Sequence, residues 1–393
     1  MVDQYSLSER EAEGQMLMNR RSFLAGAGGL TVTALLAGCQ RGAAPSLRLA
    51  MLANSVPAQL LNAFQQLPQG SNVAVTPEDS LVKLYGLLQQ WHRQTESEEA
   101  VPTTEADWVS LADYWLAPAI RQELVQPLEV SALTHWNDLA TVWPELVRRT
   151  AAVLPSPDGS IWAVPYRWSH LVLLYDRDRL PRNSAPLTTW ADLLRPELRR
   201  RVALPNHPRL VLGLAQKSLG SSANAEDPAA TEGLEPFLAD LHDQVRVYDS
   251  DRYLEMLLIG DATAVVAWSD DALPLLKRYR QLAVAVPPEG TLLSAQLWVR
   301  PQAIAAASEQ AASTARRWLD FCLDADFATQ LAIFGQGTST RLWGVERSQL
   351  PEPLQTPPTI ALPPPVAKQS EFLLPLSAAA EDRYSQIWQR LRS

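Results

Sequence analysis

Cysteine is almost missing from this chain, which has only two among its 393 residues. Cys39 follows an apolar run near the N-terminus, and Cys322 lies in the segment WLDFCL, whose pattern predicts a buried helix face. A free cysteine in such a face behaves as a small apolar residue. Two cysteines in such different settings exclude the multiple-disulfide framework of small secreted domains.

Net positive charge and long apolar runs are missing as well. The formal net charge is −9, whereas a non-specific nucleic-acid binder needs a basic surface to displace counterions from phosphates. The mean hydropathy is −0.12, and only one stretch approaches the length of a spanning helix, which excludes a multi-span membrane protein. Hydrophobic residues make up 47%, enough to form a core, so a wholly disordered chain is excluded too.

Familiar catalytic motifs are absent from the sequence. It has no His-Glu-x-x-His, no Cys-x-x-Cys, no Gly-x-Ser-x-Gly and no phosphate-binding Walker loop. The few histidines are scattered without metal-ligand spacing, at His92, His135, His170, His207 and His242. No motif here indicates an enzyme or a metal site, and the alternative that stays open is an enzyme with an unfamiliar set of acid and base residues.

The N-terminal region has the layout of an export signal. A polar stretch leads to Arg20-Arg21-Ser22-Phe23-Leu24, and a short run rich in glycine and alanine then ends at Cys39. The arginine pair resembles the twin-arginine export motif. Leu36-Ala37-Gly38-Cys39 resembles the lipobox of bacterial lipoproteins.

These resemblances imply that residues 1–38 are a signal peptide and that the Cys39 thiol is acylated. Residues 39–46 would then form a short tether, because lipid chains at one cysteine attach a protein stably to a membrane. The predicted location is the periplasm or the cell envelope, with the protein anchored by its lipid. The alternative is an uncleaved anchor that ends in a buried cysteine.

Strand-like and helix-like segments alternate from residue 46 onwards. Leu47–Leu52 is a short apolar run typical of a strand, and the apolar spacing after Pro57 predicts an amphipathic helix. A second predicted strand at residues 72–75 precedes a predicted helix over residues 78–93. This alternation is typical of βαβ units with a parallel sheet.

A second series of strands and helices begins with predicted strands over residues 162–168 and 171–175. We therefore predict an α/β protein of two lobes joined by a hinge. Lobe 1 takes residues 47–157 and 273–335, and lobe 2 takes residues 158–272. A cleft between two such lobes is the usual place of a small-ligand site.

The C-terminal region, residues 336–393, is predicted to be a proline-rich strap followed by a helix. Prolines crowd residues 351–365, which favours an extended surface segment. Ser377 is in the position of an N-cap for the last helix, whose apolar stripe includes Tyr384 and Trp388.

Several short segments occur in an order that is familiar from one protein family. They are residues 107–114 (DWVSLADY), 125–128 (VQPL), 166–168 (YRW), 189–193 (TWADL) and 260–262 (GDA), the last leading into Trp268. In this order they resemble the extracellular solute-binding proteins of ABC importers, in the spermidine/putrescine-binding branch. The resemblance spans about residues 46–345.

The resemblance implies a periplasmic-binding-protein fold of type II, whose two lobes close on a ligand about a hinge. It implies a small polar solute of the polyamine type, and a membrane permease and its ATPase as partners. It implies no cofactor and no catalysis. The alternatives are an envelope protein that keeps the binding fold for a sensory or structural role, and a secreted lipoprotein enzyme.

The resemblance also implies ligand-binding residues. Tyr114 and Trp268 match aromatic residues of the family, and aromatic faces attract alkylammonium groups. Asp113 and Asp270 lie beside them and would compensate the charged ends of such a ligand, while Trp168 would add another wall. As alternatives, the two aspartates cap helices, and the two tryptophans belong to the core.

Other positions depart from the family pattern. Residues 206–209 (NHPR) hold no carboxylate where the family has an acidic pair, and residues 294–296 (SAQ) replace the family's Trp-x-Asp. Arg209 and Arg167 suit a ligand with a carboxylate or phosphate, because the arginine fork pairs bidentately with such groups. Arg209 is equally compatible with a solvated helix face. The scaffold is thus expected to carry over, with polyamine as the family-based expectation for the ligand.

Replacing Cys39 with Ser removes the thiol that would accept the lipid. We expect the C39S protein to leave the membrane fraction for the soluble envelope fraction, because the acyl chains supply the attachment. Cell fractionation and intact-mass measurement would detect the change. The C322S control should stay with the membrane, and membrane retention of C39S would contradict the lipobox interpretation.

Overall fold

The computed structural model describes residues 45–67, 72–95, 106–150, 153–302, 309–335, 337–355 and 362–393, all of which belong to one compact unit. The strands are β1 (Leu47–Leu52), β2 (Val73–Glu78), β3 (Trp108–Ala112), β4 (Val125–Gln126), β5 (Arg148–Arg149), β6 (Ser160–Ile161), β7 (Val164–Asp176), β8 (Val202–Leu204), β9 (Val245–Tyr248), β10 (Ala264–Trp268), β11 (Leu282–Ala285), β12 (Leu292–Pro301), β13 (Thr338–Ser339) and β14 (Glu371–Phe372). The helices are α1 (Ala58–Gln65), α2 (Leu81–Thr95), α3 (Asp113–Arg121), α4 (Val142–Val147), α5 (Pro208–Ser218), α6 (Leu234–Gln244), α7 (Tyr253–Ile259), α8 (Ser269–Arg278), α9 (Glu309–Cys322), α10 (Ala325–Phe334), α11 (Pro364–Gln369) and α12 (Ala378–Arg392).

One sheet runs through both lobes, and its main path has the strand order β2-β1-β3-β12-β7-β10-β8-β9. At one end β1 pairs in parallel with β2 and β3, and at the other β8 pairs in parallel with β9 and β10. Between these groups, β12 runs antiparallel to β3 and β7, and β7 runs antiparallel to β10. The predicted parallel βαβ groups are confirmed, and an antiparallel strand pair joins them.

Strand β7 is the longest of the described strands, with 13 residues, all of them buried. The prediction of two separate strands here is wrong. Neither glycine nor proline interrupts the segment at Ser169-His170, so the backbone continues without a break. Its first half pairs with β12 as far as His170, and its second half pairs with β10 from Leu171 onwards.

Two hydrophobic cores lie on either side of this point. The first encloses the tryptophans Trp143, Trp168, Trp298 and Trp318, and the second encloses Trp190. Within the described residues, the chain passes from one core to the other in three places, which are Trp168–Leu171, Leu292–Leu293 and Phe372–Leu376. A third, smaller core covers the other face of the sheet in lobe 2. We therefore define lobe 1 as the elements around the first core, which include β7 up to Trp168, and lobe 2 as the elements around the second and third cores. The described residues connect the two lobes by these three passages.

Proline decides two of the local boundaries. Strand β2 runs through Pro77, which lacks an N–H, and it can do so because β2 lies at the edge of the sheet. Helix α2 consequently begins at Leu81, later than predicted. In the proline-rich strap, α11 begins at Pro364, because proline fits the first turn of a helix.

The C-terminal segment is tied to both lobes. In β14, Glu371 and Phe372 pair with the first residues of β12. The Glu371 carboxylate accepts hydrogen bonds from Ser222 Oγ (2.8 Å) and the Ala223 N–H (2.7 Å) in lobe 2. The predicted cap of α12 is confirmed, since Ser377 Oγ accepts from the Ala380 N–H at 3.2 Å.

The predicted export signal with Arg20 and Arg21, and the predicted lipidation site Cys39, lie outside the described residues. Within the ranges that are described, no helix combines the length and apolar character needed to cross a bilayer. Cys322 is fully buried in α9, as predicted.

A histidine is buried at the first passage between the cores. His170 has no exposed surface, and both of its ring nitrogens lack a hydrogen-bond partner. Burial lowers the pKa of His170 to about 3, because the charged imidazolium would lose its hydration. The folded protein therefore holds this imidazole neutral at any pH near neutrality.

The stability of the protein should fall in mild acid because of His170. Below about pH 6.5 an unfolded chain binds a proton there, whereas the folded chain does so only near pH 3. We expect this group to cost as much as about 4 kcal/mol between pH 7 and pH 3. In H170L the cost disappears, so the difference in unfolding free energy between the two proteins should change with pH.

Urea denaturation at a series of pH values measures that difference. Other titrating groups contribute equally to both proteins and cancel. A difference that stays constant from pH 7 to pH 4 would contradict the argument.

Candidate ligand-binding cleft

We place the candidate cleft where the carboxyl ends of β3 and β10 meet the central strands β12 and β7. Ala112, the last residue of β3, lies in register with Gln296 of β12, which in turn lies in register with Arg167 of β7. In open α/β sheets, ligands bind at the carboxyl ends of strands where the strand order changes direction. This row of residues is therefore the floor of the candidate site, which we call the cleft floor.

A tyrosine hydroxyl organises one side of the cleft floor. Tyr166 is fully buried, and its hydroxyl lies 3.0 Å from Ser110 Oγ and donates to Gln296 Oε1 at 2.9 Å. Ser55, in the loop after β1, lies 3.3 Å away. The hydroxyl thus connects three strands or loops of lobe 1, and each of these polar groups is satisfied by another.

Arg167 points a guanidinium into the junction of the lobes. Its Nη2 donates to Asp270 Oδ2 at 2.9 Å, and its Nη1 donates to the Ser55 carbonyl at 3.3 Å. The side chain is only 6% exposed, and that of Asp270 is 18% exposed. Gly337 lies against Nε so closely that a Cβ there would overlap it. The ion pair joins lobe 1 to the start of α8 in lobe 2.

The Asp113 side chain, which was predicted to contact a ligand, forms hydrogen bonds with β12 instead. Its Oδ1 accepts from the Ala295 N–H at 2.9 Å and from Ser294 Oγ at 3.0 Å. Burial raises the pKa of Asp113 to about 6, while these hydrogen bonds and the positive charge of Arg149 oppose the rise. The carboxylate therefore fixes the first residue of α3 to the central strand.

The two predicted aromatic contacts differ from the core tryptophans in their exposure. Tyr114, directly after Asp113, is 50% exposed, and Trp268 is half-buried immediately before α8. Tyr114 comes two residues after the end of β3, and Trp268 is the last residue of β10, so both lie at strand ends that face the candidate cleft. Trp268 is two residues before Asp270, so its backbone leads directly to the Arg167 ion pair, and part of its side chain packs against the second core.

Trp168 lies in the first hydrophobic core. Its indole packs against Trp143 and Trp343, and its Nε1 donates to the Ser339 carbonyl at 3.0 Å. Only 1% of its surface is exposed. A contact with a ligand would require a change of conformation at this residue.

Arg209 has protein partners in lobe 2 and in the C-terminal segment. Its guanidinium donates to the carbonyls of Ala223 and Leu374, each at 3.3 Å, and to Asn224 Oδ1 at 3.0 Å. It also lies over the Tyr384 ring, 5.0 Å from the centroid. The described contacts do not bring Arg209 to the Arg167 cluster, and a role in ligand binding would require these bonds to be released.

Four residues at the cleft were not predicted as site residues, namely Tyr166, Ser55, Ser110 and Gln296. One signal was available, since Tyr166 and Arg167 bring groups that need hydrogen-bond partners into a buried strand. The serines gave no such signal, because only the fold brings their loops to the same hydroxyl.

Metal binding receives no support from the described ranges, in which no group of three or more His, Cys, Asp or Glu side chains could hold an ion. A groove of about 940 Å³ is present outside the cleft, between the segment around α4 and the C-terminal strap. Its lining includes Trp136, Glu145, Arg148, Glu371 and Phe372, and none of the predicted ligand-binding residues.

Comparisons with known proteins agree with this architecture. The sequence pattern of the family described as bacterial extracellular solute-binding protein matches residues 108–347, more than half of the chain. A spermidine/putrescine-binding periplasmic protein of Salmonella typhimurium is 24% identical over 271 residues, which cover 69% of this chain and 74% of the relative. The spermidine/putrescine-binding periplasmic protein 1 of Haemophilus influenzae is 23% identical over 340 residues, 86% of each chain.

A solved structure gives the same result for the fold. The spermidine/putrescine ABC transporter substrate-binding protein of Streptococcus pneumoniae superimposes with a TM-score of 0.70 at 21% identity, over 88% of this chain and 98% of that one. The predicted two-lobed α/β fold is confirmed.

Removing the Tyr166 hydroxyl should affect both stability and the site. We expect Y166F to lose about 1–3 kcal/mol of unfolding free energy, because Ser110, Ser55 and Gln296 lose a buried partner. The matched control is Y384F in lobe 2, where a buried hydroxyl is bonded to Gln216. Both variants should lose similar stability in urea denaturation, whereas only Y166F should lose ligand affinity. Equal affinity in the two variants would remove the cleft floor from the binding site.

Proposed function

The chain belongs to the bacterial extracellular solute-binding proteins, and on this premise we propose that it is the substrate-binding component of an ABC importer. It captures a small polar solute between its lobes and performs no catalysis. The observation that carries the proposal is the cleft floor, where Tyr166 and Arg167 of β7, the strand that runs through both lobes, and Gln296 of β12 supply polar groups. A solute held there contacts both lobes, so its binding favours the closed arrangement.

Closure takes place about the β7–β12 pair. Asp270 contacts Arg167 across the lobe boundary, and Ser269 Oγ accepts from the His170 N–H at 3.2 Å. These contacts place the start of α8 against the hinge strands. A permease that recognises the closed pair of lobes would accept only the loaded protein, and its ATPase would drive import.

Polyamines are the ligand suggested by the relatives, which are named for spermidine and putrescine. Tyr114 and Trp268 provide the aromatic faces that such a ligand would need. Asp113 and Asp270 are the carboxylates beside them, and both already accept hydrogen bonds from protein donors. The ligand class therefore depends on whether the cleft floor accepts a positively or a negatively charged group.

The N-terminal motifs support a location outside the cytoplasmic membrane. Arg20 and Arg21 would direct export, and a lipid on Cys39 would hold the protein at a membrane surface. A tethered binding protein stays close to its permease, which raises the effective concentration of captured solute there.

Binding of the transported solute should stabilise and compact the protein. We would measure thermal unfolding and small-angle X-ray scattering with putrescine, spermidine, amino acids, organic acids and phosphates. At a hundredfold excess over the dissociation constant we expect about 2.7 kcal/mol of added stability. The radius of gyration should decrease, because the lobes close. W268A should bind more weakly without unfolding, since it removes an aromatic wall at the cleft.

The control variant is W388A in α12, which removes a half-buried indole that packs against Tyr248 in lobe 2. Its affinity should equal that of the wild type. Binding without compaction would contradict the importer mechanism, and unchanged affinity in a folded W268A would remove Trp268 from the site.

A further inference from the structure

Arg167 is held in place from several sides. Its backbone is part of β7, where the neighbouring residues pair with β12, and its Nη1 donates to the Ser55 carbonyl. Gly337 closes the space beside Nε, which has no hydrogen-bond partner. The side chain is 6% exposed. This guanidinium is therefore a fixed positive charge in the cleft floor.

Asp270 is held much less firmly. Among the described residues, its carboxylate accepts a side-chain hydrogen bond from Arg167 alone. Its side chain is 18% exposed, three times the value for Arg167, and it lies in the first turn of α8. A carboxylate in that position is favoured by the helix dipole even when it faces water.

A ligand can break this ion pair in two ways, and the two differ in cost. An ammonium group would replace Arg167 on Asp270 and leave a buried guanidinium without its counter-charge. A carboxylate would replace Asp270 on Arg167, and Asp270 could return to water at the end of its helix. Removing one partner of a buried pair is costly when the other stays buried, so the second exchange is favoured.

The other charged groups around the cleft also favour a ligand carboxylate over an ammonium group. The carboxylate of Asp113 is used by Ser294 and Ala295, and that of Asp271 accepts from the Tyr253 hydroxyl at 2.7 Å. By contrast, Arg149 is 2% exposed, and its Nε and Nη1 have no hydrogen-bond partner. Buried guanidinium nitrogens without a partner thus remain on Arg149 and Arg167, whereas the carboxylates named here already accept hydrogen bonds.

We infer that the solute captured by this protein carries a carboxylate, which binds the Arg167 guanidinium in the place that Asp270 occupies in this structure. This inference rests on the proposed function and names its substrate class. The position already accommodates a carboxylate, which favours that group over a bulkier oxyanion. Tyr114 and Trp268 would then cover the apolar part of a small organic acid or amino acid.

The test compares carboxylates with polyamines on the full-length wild-type protein and its variants. The probes are succinate, citrate and glutamate on one side and putrescine and spermidine on the other, measured by thermal shift and calorimetry. We expect at least one carboxylate to bind the wild type and both polyamines to fail. In R167Q the affinity for that carboxylate should fall at least about 30-fold. Because R167Q frees Asp270, spermidine or putrescine should now bind.

Two further variants keep the test decisive. R195Q breaks a comparable ion pair in lobe 2, with Asp192, and should keep the wild-type preference. If R167Q fails to fold, R167Q/D270N removes both charges at once and leaves no unpaired buried carboxylate. It should bind neither class of ligand. Carboxylate binding that survives in the double variant would show that Arg167 is not the receptor and would overturn the inference.

The outcomes separate this inference from the proposed function. Binding of a polyamine with compaction, and of no carboxylate, would overturn the inference and leave the importer function intact. Carboxylate binding that depends on Arg167 but causes no compaction would support the inference and contradict the importer mechanism. If none of the three carboxylates binds the wild type, the inference fails.

Discussion

The pairing of β7 with β12 is the constraint on which the rest of the molecule depends. Strand β7 runs through both lobes, pairing with β12 as far as His170 and with β10 from Leu171 onwards, so the sheet continues across the lobe boundary. A polar side chain on such a strand cannot move away when one lobe rotates. Any charge placed there becomes a permanent part of the cleft, and the choice of arginine at position 167 therefore sets the electrostatics of the whole site.

Burial makes the polar groups of this strand pair depend on one another. Every residue of β7 is buried, so each polar side chain needs a partner or carries a cost. Tyr166 and Arg167 have partners in lobe 1 and across the boundary, whereas His170 has none at its ring. A buried ion pair contributes little net stability, and its main effect is to specify an arrangement. Here the arrangement is the contact between the hinge and α8.

Local features were predictable from the sequence, and long-range contacts were not. The Ser377 cap follows from residues within one turn, and the parallel strand groups follow from the alternation of apolar segments. The pairing of Arg167 with Asp270 joins residues 103 positions apart, and only the fold brings them together. Trp168 and Trp268 both lie in strand-like segments, so the sequence does not distinguish them. Trp168 lies in the core and Trp268 lies half-buried at the cleft, because burial depends on which elements pack around each residue.

The route of the chain also affects the order in which the molecule can be built. Lobe 2 is inserted in the sequence of lobe 1. The Tyr166 hydroxyl therefore cannot form its hydrogen bond to Gln296 until that residue, 130 positions later, has been synthesised. Until β12 has been synthesised, β3 and β7 are unpaired edges, and unpaired edges invite association with other chains. Contacts between such distant segments slow folding, because the entropy lost in closing the loop comes before the favourable free energy of strand pairing. Because the two lobes share a hinge, the newly made chain therefore depends on protection from association with other chains until its last third is complete.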